Sequence, residues 1–126
     1  MSVTVTKIKP AFSDDRGAII DVLEEEVHHT GIITFSGDAV RANHYHKKQT
    51  QYTYITMGKV ELKTKDAKNP DAPVQKFLLE PGDLATIPPF TIHSYRALEP
   101  SSMLCLTTLK RSSELYEEDT FRVEPL

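Results

Sequence analysis

The chain has 126 residues, with 15 Lys and Arg against 18 Asp and Glu for a net charge of −3, and 39% of its residues are apolar. This is an ordinary globular composition, long enough for one domain over residues 1–126 to bury a core without disulfide staples. The acidic balance argues against a nucleic-acid partner, and no apolar run approaches the ~20 residues that span a bilayer. A lone Cys105 can form no internal disulfide, and the N-terminal MSVTVTKIKP lacks the apolar stretch of a secretion signal, so a cytoplasmic protein with no membrane partner is expected.

In chain order, the periodicity is that of strands. Val3 and Val5 alternate with Thr4 and Thr6, and Ala18 to Leu23 is a second β-rich run after the turn residues Asp14-Asp-Arg-Gly17. Gly31 to Ser36, Gln51 to Met57, Lys59 to Lys63, Val74 to Leu79, Leu84 to Ile87, Ile92 to Ala97 and Met103 to Leu109 follow. Gly58 and Glu80-Pro-Gly-Asp83 supply turns, and Lys65 to Pro73 reads as a polar loop. Only Ser113 to Asp119 has a helical start, a Ser followed by acidic residues. Short strands at this spacing predict an all-β antiparallel sandwich or barrel with a short C-terminal tail.

Five histidines carry the chemical signal. His28 and His29 are adjacent, and neighbours on a strand point to opposite faces, so this pair cannot converge on one ion. His44 and His46, two apart, project from one face about 6.5 Å apart along the backbone and can tilt onto a single centre. Gln51 opens the next strand after a short connection, and His93 follows Pro88-Pro-Phe-Thr-Ile far along the chain.

The order Gly37, His44-x-His46, Gln51, Gly58, and then Gly82, Pro88-x-Phe90, His93, resembles the two motifs of the cupins. The resemblance spans about Ser36 to Ala97 and implies a single-domain double-stranded β-helix, a jelly-roll-like barrel with its core at about 31–109 and a tail at 110–126. In cupins the corresponding side chains bind a divalent metal, which carries over to His44, His46, Gln51 and His93. Gln51 stands where a Glu is usual, Phe90 replaces a Gly and Ala97 an Asn. Three imidazoles and an amide oxygen suit Zn²⁺, Fe²⁺, Mn²⁺ or Ni²⁺, though without the carboxylate's charge. The alternative is a metal-free polar interior that holds an organic ligand.

Phe12-x-Asp14-x-Arg16-Gly17 is similar to the opening of dTDP-4-dehydrorhamnose 3,5-epimerases. Arg41-Ala-Asn-His44-Tyr-His46-Lys47 is similar to a segment of sugar-nucleotide cupins, among them dTDP-keto-sugar 3,4-ketoisomerases and the cupin domain of capsular polysaccharide enzymes. The former tend to share the Gln and work without metal, whereas the latter have Glu and bind zinc. The resemblance implies an epimerase or keto-isomerase acting on a nucleoside diphosphate sugar, by proton transfer beside a keto group. An imidazole titrating near neutrality can be the base, so His44 and His46 are candidates for base or metal ligand. Tyr54 and Tyr95, with Tyr52, are candidate donors to a developing enolate or else core and rim aromatics. Arg41 can grip diphosphate bidentately, and Arg16 is either a second phosphate contact or a plain turn residue. Lys47 and Lys48 read as solvated loop charges. Rival readings are a metal-dependent oxygenase and a non-catalytic ligand-binding cupin. Single-domain cupins usually dimerise, and the strand Thr4 to Ile8 offers an edge for a homodimer partner.

Overall fold

The computed structural model describes residues 2–126, and its elements are β1 (Thr4–Lys7), β2 (Phe12–Asp14), β3 (Gly17–Ile19), β4 (His29–Phe35), β5 (Val40–Tyr45), β6 (Gln51–Met57), β7 (Val60–Asp66), β8 (Gln75–Leu79), β9 (Asp83–Ile87), β10 (Thr91–Ala97), β11 (Ser101–Thr107), α1 (Ser113–Glu118) and β12 (Phe121–Arg122). Two five-stranded sheets face each other, ordered β1-β9-β6-β11-β4 and β12-β5-β10-β7-β8, and β2 and β3 form a separate hairpin. Every strand pair is antiparallel. The all-β antiparallel architecture expected from the alternating pattern is present, in the jelly-roll-like form that the cupin resemblance implies. None of the described helices is long and apolar enough to cross a membrane.

The alternation of each strand sets what lies between the sheets. On β6 the buried positions are Gln51, Thr53 and Ile55, on β7 Val60, Leu62 and Thr64, and on β10 Thr91, His93, Tyr95 and Ala97, with Ser94 also buried. Each run grades from polar to apolar in the same sense across the register, since Ala97 opposes Val60 and His93 opposes Thr64. The apolar ends meet in one core of Phe35, Ile55, Val60, Leu62, Leu79, Ala85, Ile87, Tyr95, Ala97 and Met103. At the polar end of β6, Gln51 reaches a cavity. Gly58 closes the β6–β7 turn at φ +89, where a Cβ would collide with the Ser101 side chain and come within 2.6 Å of the Pro100 carbonyl oxygen. Only Gly fits there.

Three sequence expectations need correction. The run Ala18 to Leu23 forms a strand only to Ile19, because β3 pairs with three-residue β2 and has no further partner. The polar loop starts later than Lys65, since Lys65 and Asp66 still pair with β10. β12 carries no strand pattern of its own and forms because Phe121 and Arg122 meet Tyr45 and His44 on β5, with Phe121 stacked on Tyr45 at 5.2 Å. The N-terminal strand pairs within the chain, β1 on β9, and keeps its other edge at the sheet margin.

Candidate active site

His44 on β5 and His93 on β10 are direct cross-strand partners. His46, just beyond β5, joins them. The ring centroids are 4.7 Å apart for His44–His46, 4.7 Å for His44–His93 and 5.5 Å for His46–His93. All three residues are buried, and one ligating atom from each lies within 4.8 Å of the others. The spacing argument from sequence therefore holds for these three histidines.

Backbone carbonyls orient two of the rings. His46 Nδ1 donates to the Asp119 carbonyl at 2.7 Å, and His93 Nδ1 donates to the Thr91 carbonyl at 3.0 Å. A carbonyl can only accept, so both rings carry their proton on Nδ1 and leave Nε2 as the lone-pair atom. The Nε2 of His93 is buried with no partner. Burial, followed by the neighbouring His46, lowers the His44 pKa to about 4. Burial and then His44 lower that of His93 to about 3, and burial also lowers that of His46. Three neutral imidazoles are the state that can act as bases or ligate a cation.

A β-bulge completes the wall. His93 opposes His44 while Ser94 opposes Ala42, so Asn43 is an extra residue on β5. Ala42 at φ +76 and Asn43 at φ +58 are both left-handed. On a regular strand, residues three apart face opposite sides. The bulge lets Arg41 and His44 line the same cavity. The Arg41 guanidinium donates to the Thr34 carbonyl from Nε at 3.2 Å and from a terminal nitrogen at 2.9 Å, and lies 5.3 Å from the Phe35 ring.

The cavity is about 130 Å³. Gln51 and Tyr95 reach it from β6 and β10, with the Gln51 amide nitrogen donating to the Tyr95 hydroxyl at 2.9 Å. That hydroxyl also bonds Thr53 Oγ1 at 2.7 Å, and burial raises its pKa. Cys105 lines the wall as a buried thiol, raised by burial to about 11.

Three candidate site residues lie elsewhere. Tyr54 alternates with Thr53 and Ile55, so it faces outward, between Leu104 and Leu84 on neighbouring strands. Tyr52 faces outward with it. Arg16 stands at the tip of the β2–β3 hairpin, 82% exposed, with both Nε and a terminal nitrogen on the carboxylate of Asp14. It does not line the cavity. Conversely, His29, Gln49 and Arg111 do line it without having been singled out for it. The adjacency of His28 and His29 argues only against a shared ion. As the first residue of β4, His29 takes the inward side with Ile33 while His28 stays exposed. Arg111 lies in the irregular stretch after β11, where no periodicity marks its direction.

The comparisons agree with this fold. No curated protein sequence matches the chain. Among solved structures, a dTDP-4-dehydrorhamnose 3,5-epimerase from Sulfolobus tokodaii superposes with a TM-score of 0.81 at 22% identity, over 97% of this chain and 77% of that one. A 3,4-ketoisomerase variant from Thermoanaerobacterium thermosaccharolyticum, in complex with TDP-4-keto-6-deoxyglucose, does so at 0.79 and 22% identity, over 96% and 87%. A 3,4-ketoisomerase from Helicobacter canadensis gives 0.81 at 20% identity, over 98% and 92%. The likeness to these structures lies in the fold. The family model of the cupin domain matches residues 31–108, from the middle of β4 to just past the end of β11. With the two facing sheets and the three inward histidines, that match places the chain in the cupin domain family.

Proposed function

We propose that this protein is a nucleotide-sugar isomerase or epimerase that moves a proton beside a keto group in the barrel cavity. The observation that carries the reading is the cluster of three neutral imidazoles, of which His44 lines one cavity with Arg41 and Arg111. His44 is the base, and the Nδ1-protonated His46 and His93 hold the wall in shape. Cavities that enclose drug-sized ligands run roughly 300–1,000 Å³. At about 130 Å³ this one takes a sugar ring and leaves the diphosphate at the mouth beside the two guanidinium groups, which suit it by charge and fork geometry. Solved structures of the same fold with keto-sugar isomerase and epimerase activities support the reading.

A second reading is favoured by the convergence of three ligating atoms within 4.8 Å and by the unpartnered Nε2 of His93. His44, His46 and His93 fit a divalent cation such as Zn²⁺, Fe²⁺, Mn²⁺ or Ni²⁺. A bound cation would polarise the substrate carbonyl as a Lewis acid. Gln51 would add at most a neutral oxygen, since its amide nitrogen is held by Tyr95.

The assay is conversion of TDP-4-keto-6-deoxyglucose followed by proton NMR, before and after exhaustive chelation. Transposition of the ketone or inversion at the adjacent carbon in both samples supports metal-free catalysis by His44. Loss on chelation with recovery on adding one of these cations, abolished in His46→Ala, supports the metal reading. No conversion in either sample rejects both.

The chain also pairs with a second copy in this reading. Phe12 and Ile19 are cross-strand partners on the outlying hairpin, 51% and 59% exposed, and β1 keeps an open edge. A homodimer would cover both. Light scattering reporting a stable monomer would reject it.

A further inference from the structure

The cavity has two walls, and the base His44 lies on only one of them. His44 and His93 belong to the β5/β10 sheet, whereas β4, which carries His29, belongs to the facing sheet. His29 lines the same cavity, and its Nδ1 is buried with no hydrogen-bond partner. The ring occupies the inner surface of β4 because residue 31 is Gly. A Cβ there would lie 3.0 Å from His29 Cε1 and 3.5 Å from its Nε2. An imidazole laid over a glycine, facing a polar cavity with an unused nitrogen, is placed to serve the cavity's occupant.

We propose that His29 is a second proton-transfer residue, carrying a proton between the two substrate oxygens while His44, on the opposite wall, carries the carbon-bound proton. The assignment rests on the keto-sugar isomerase reading. Moving a ketone to the neighbouring carbinol carbon requires one C–H proton and one O–H proton to change places. His44 takes the proton of the carbinol carbon, the C–H electron pair becomes the C=C bond, and the carbonyl pair moves onto its oxygen. Neutral His29 takes the proton of the neighbouring hydroxyl and, as imidazolium, delivers it to that oxygen. The oxygen left bare re-forms a carbonyl on its own carbon, and the C=C pair collects the proton held by His44 at the other. Both imidazoles end as they began, with no oxidant or reductant consumed. Burial, and then the nearby Arg111, lower the pKa of His29, which keeps the ring neutral and ready to accept first. Tyr95, another buried residue of the cavity with a polar group, has its hydroxyl engaged by Gln51 and Thr53.

The test compares wild type, His29→Gln and Gly31→Ala on TDP-4-keto-6-deoxyglucose in D₂O, after thermal melts confirm folding. Proton NMR reads both deuterium wash-in beside the ketone and net ketone transposition. Removing a general acid–base group costs roughly 10²–10⁴-fold. His29→Gln is expected to lose transposition by that factor while wash-in at the original carbon falls far less, so the ratio of wash-in to transposition rises at least about tenfold. Gly31→Ala, which displaces the ring without altering it, should move the ratio the same way by less. If both variants transpose the ketone at the wild-type rate, or lose wash-in and transposition in equal proportion, the assignment to His29 is wrong. Wild-type protein that shows neither process rejects the isomerase reading, and His29's role with it.

Discussion

The Asp119 carbonyl accepts the Nδ1 proton of His46 at 2.7 Å, while the carboxylate of the same residue accepts the backbone amides of Lys47, Lys48 and Gln49 at 2.9–3.2 Å. One buried residue thus fixes both the tautomer of a histidine in the cluster and the loop that follows it. The cupin match ends at residue 108, so this support comes from the C-terminal segment outside it. Pairing of β12 with β5 and the Val123 amide on the Asn43 carbonyl hold that segment against the barrel.

Asp119→Ala leaves three amides without their anionic acceptor. Hydrogen bonds to charged groups are worth about 1.5–3 kcal/mol each, and water entering the gap recovers part of the loss. A destabilisation of about 2–4 kcal/mol is expected, checked by urea denaturation. Nitrogen-15 spectra of the imidazoles should still show His46 in its Nδ1–H form, because alanine keeps the backbone carbonyl that accepts it, just as His93 keeps its own on Thr91.

Two tyrosines with the same sequence credentials should behave oppositely. Tyr95→Phe removes the hydroxyl that joins Gln51 and Thr53 in a buried site, leaving their polar groups short of a partner at a cost of about 1–3 kcal/mol. Tyr54→Phe acts on the outer face and should change neither stability by more than about 0.5 kcal/mol nor turnover. Parallel denaturation curves and initial rates check both.

This contrast shows how far the sequence could be read. Alternation pointed to an antiparallel sandwich or barrel, and the two-block resemblance to the cupins brought His44, His46 and His93 together across some fifty residues. The same alternation separates Tyr54 from Gln51 and Thr53, but using it needs the inward parity of β6, which an aromatic-rich strand does not disclose. Arg41 was recoverable only as a motif member, because a bulge at Asn43 turns it inward against the strand period. His29 and Arg111 were hidden for another reason. Their place at the cavity depends on which sheet β4 joins and how the tail leaves β11, and those are long-range choices.

Ala42 occupies φ +76, a conformation that costs a non-glycine residue roughly 1–2 kcal/mol. Ala42→Gly relieves the strain and returns part of the gain as unfolded-state entropy. A net stabilisation of about 0.5–1 kcal/mol is expected from the denaturant midpoint. Because Ala42 lines the cavity, the same change also widens it by one methyl group.

The histidine wall makes the fold acid-sensitive. His44 near 4 and His93 near 3 lie below the ordinary value of 6.5, with the buried His46 also lowered. Between pH 6.5 and about 4 the unfolded chain therefore binds more protons than the native one. Stability is complete above 6.5 and is lost as the pH falls through this window, by up to about 1.4 kcal/mol per pH unit for each proton taken up. Melting temperatures of metal-free protein from pH 7 to 4 should fall steeply, and less steeply in His93→Gln.

The most direct test of the account is deuterium wash-in from D₂O at the carbon beside the ketone of TDP-4-keto-6-deoxyglucose, in metal-free wild-type protein and in His44→Asn. Proton transfer by this wall predicts wash-in catalysed by the wild type and reduced at least about 10²-fold in the variant, with both folded by thermal melt. Wash-in that survives unchanged in His44→Asn, or that the wild type does not catalyse at all, would contradict it.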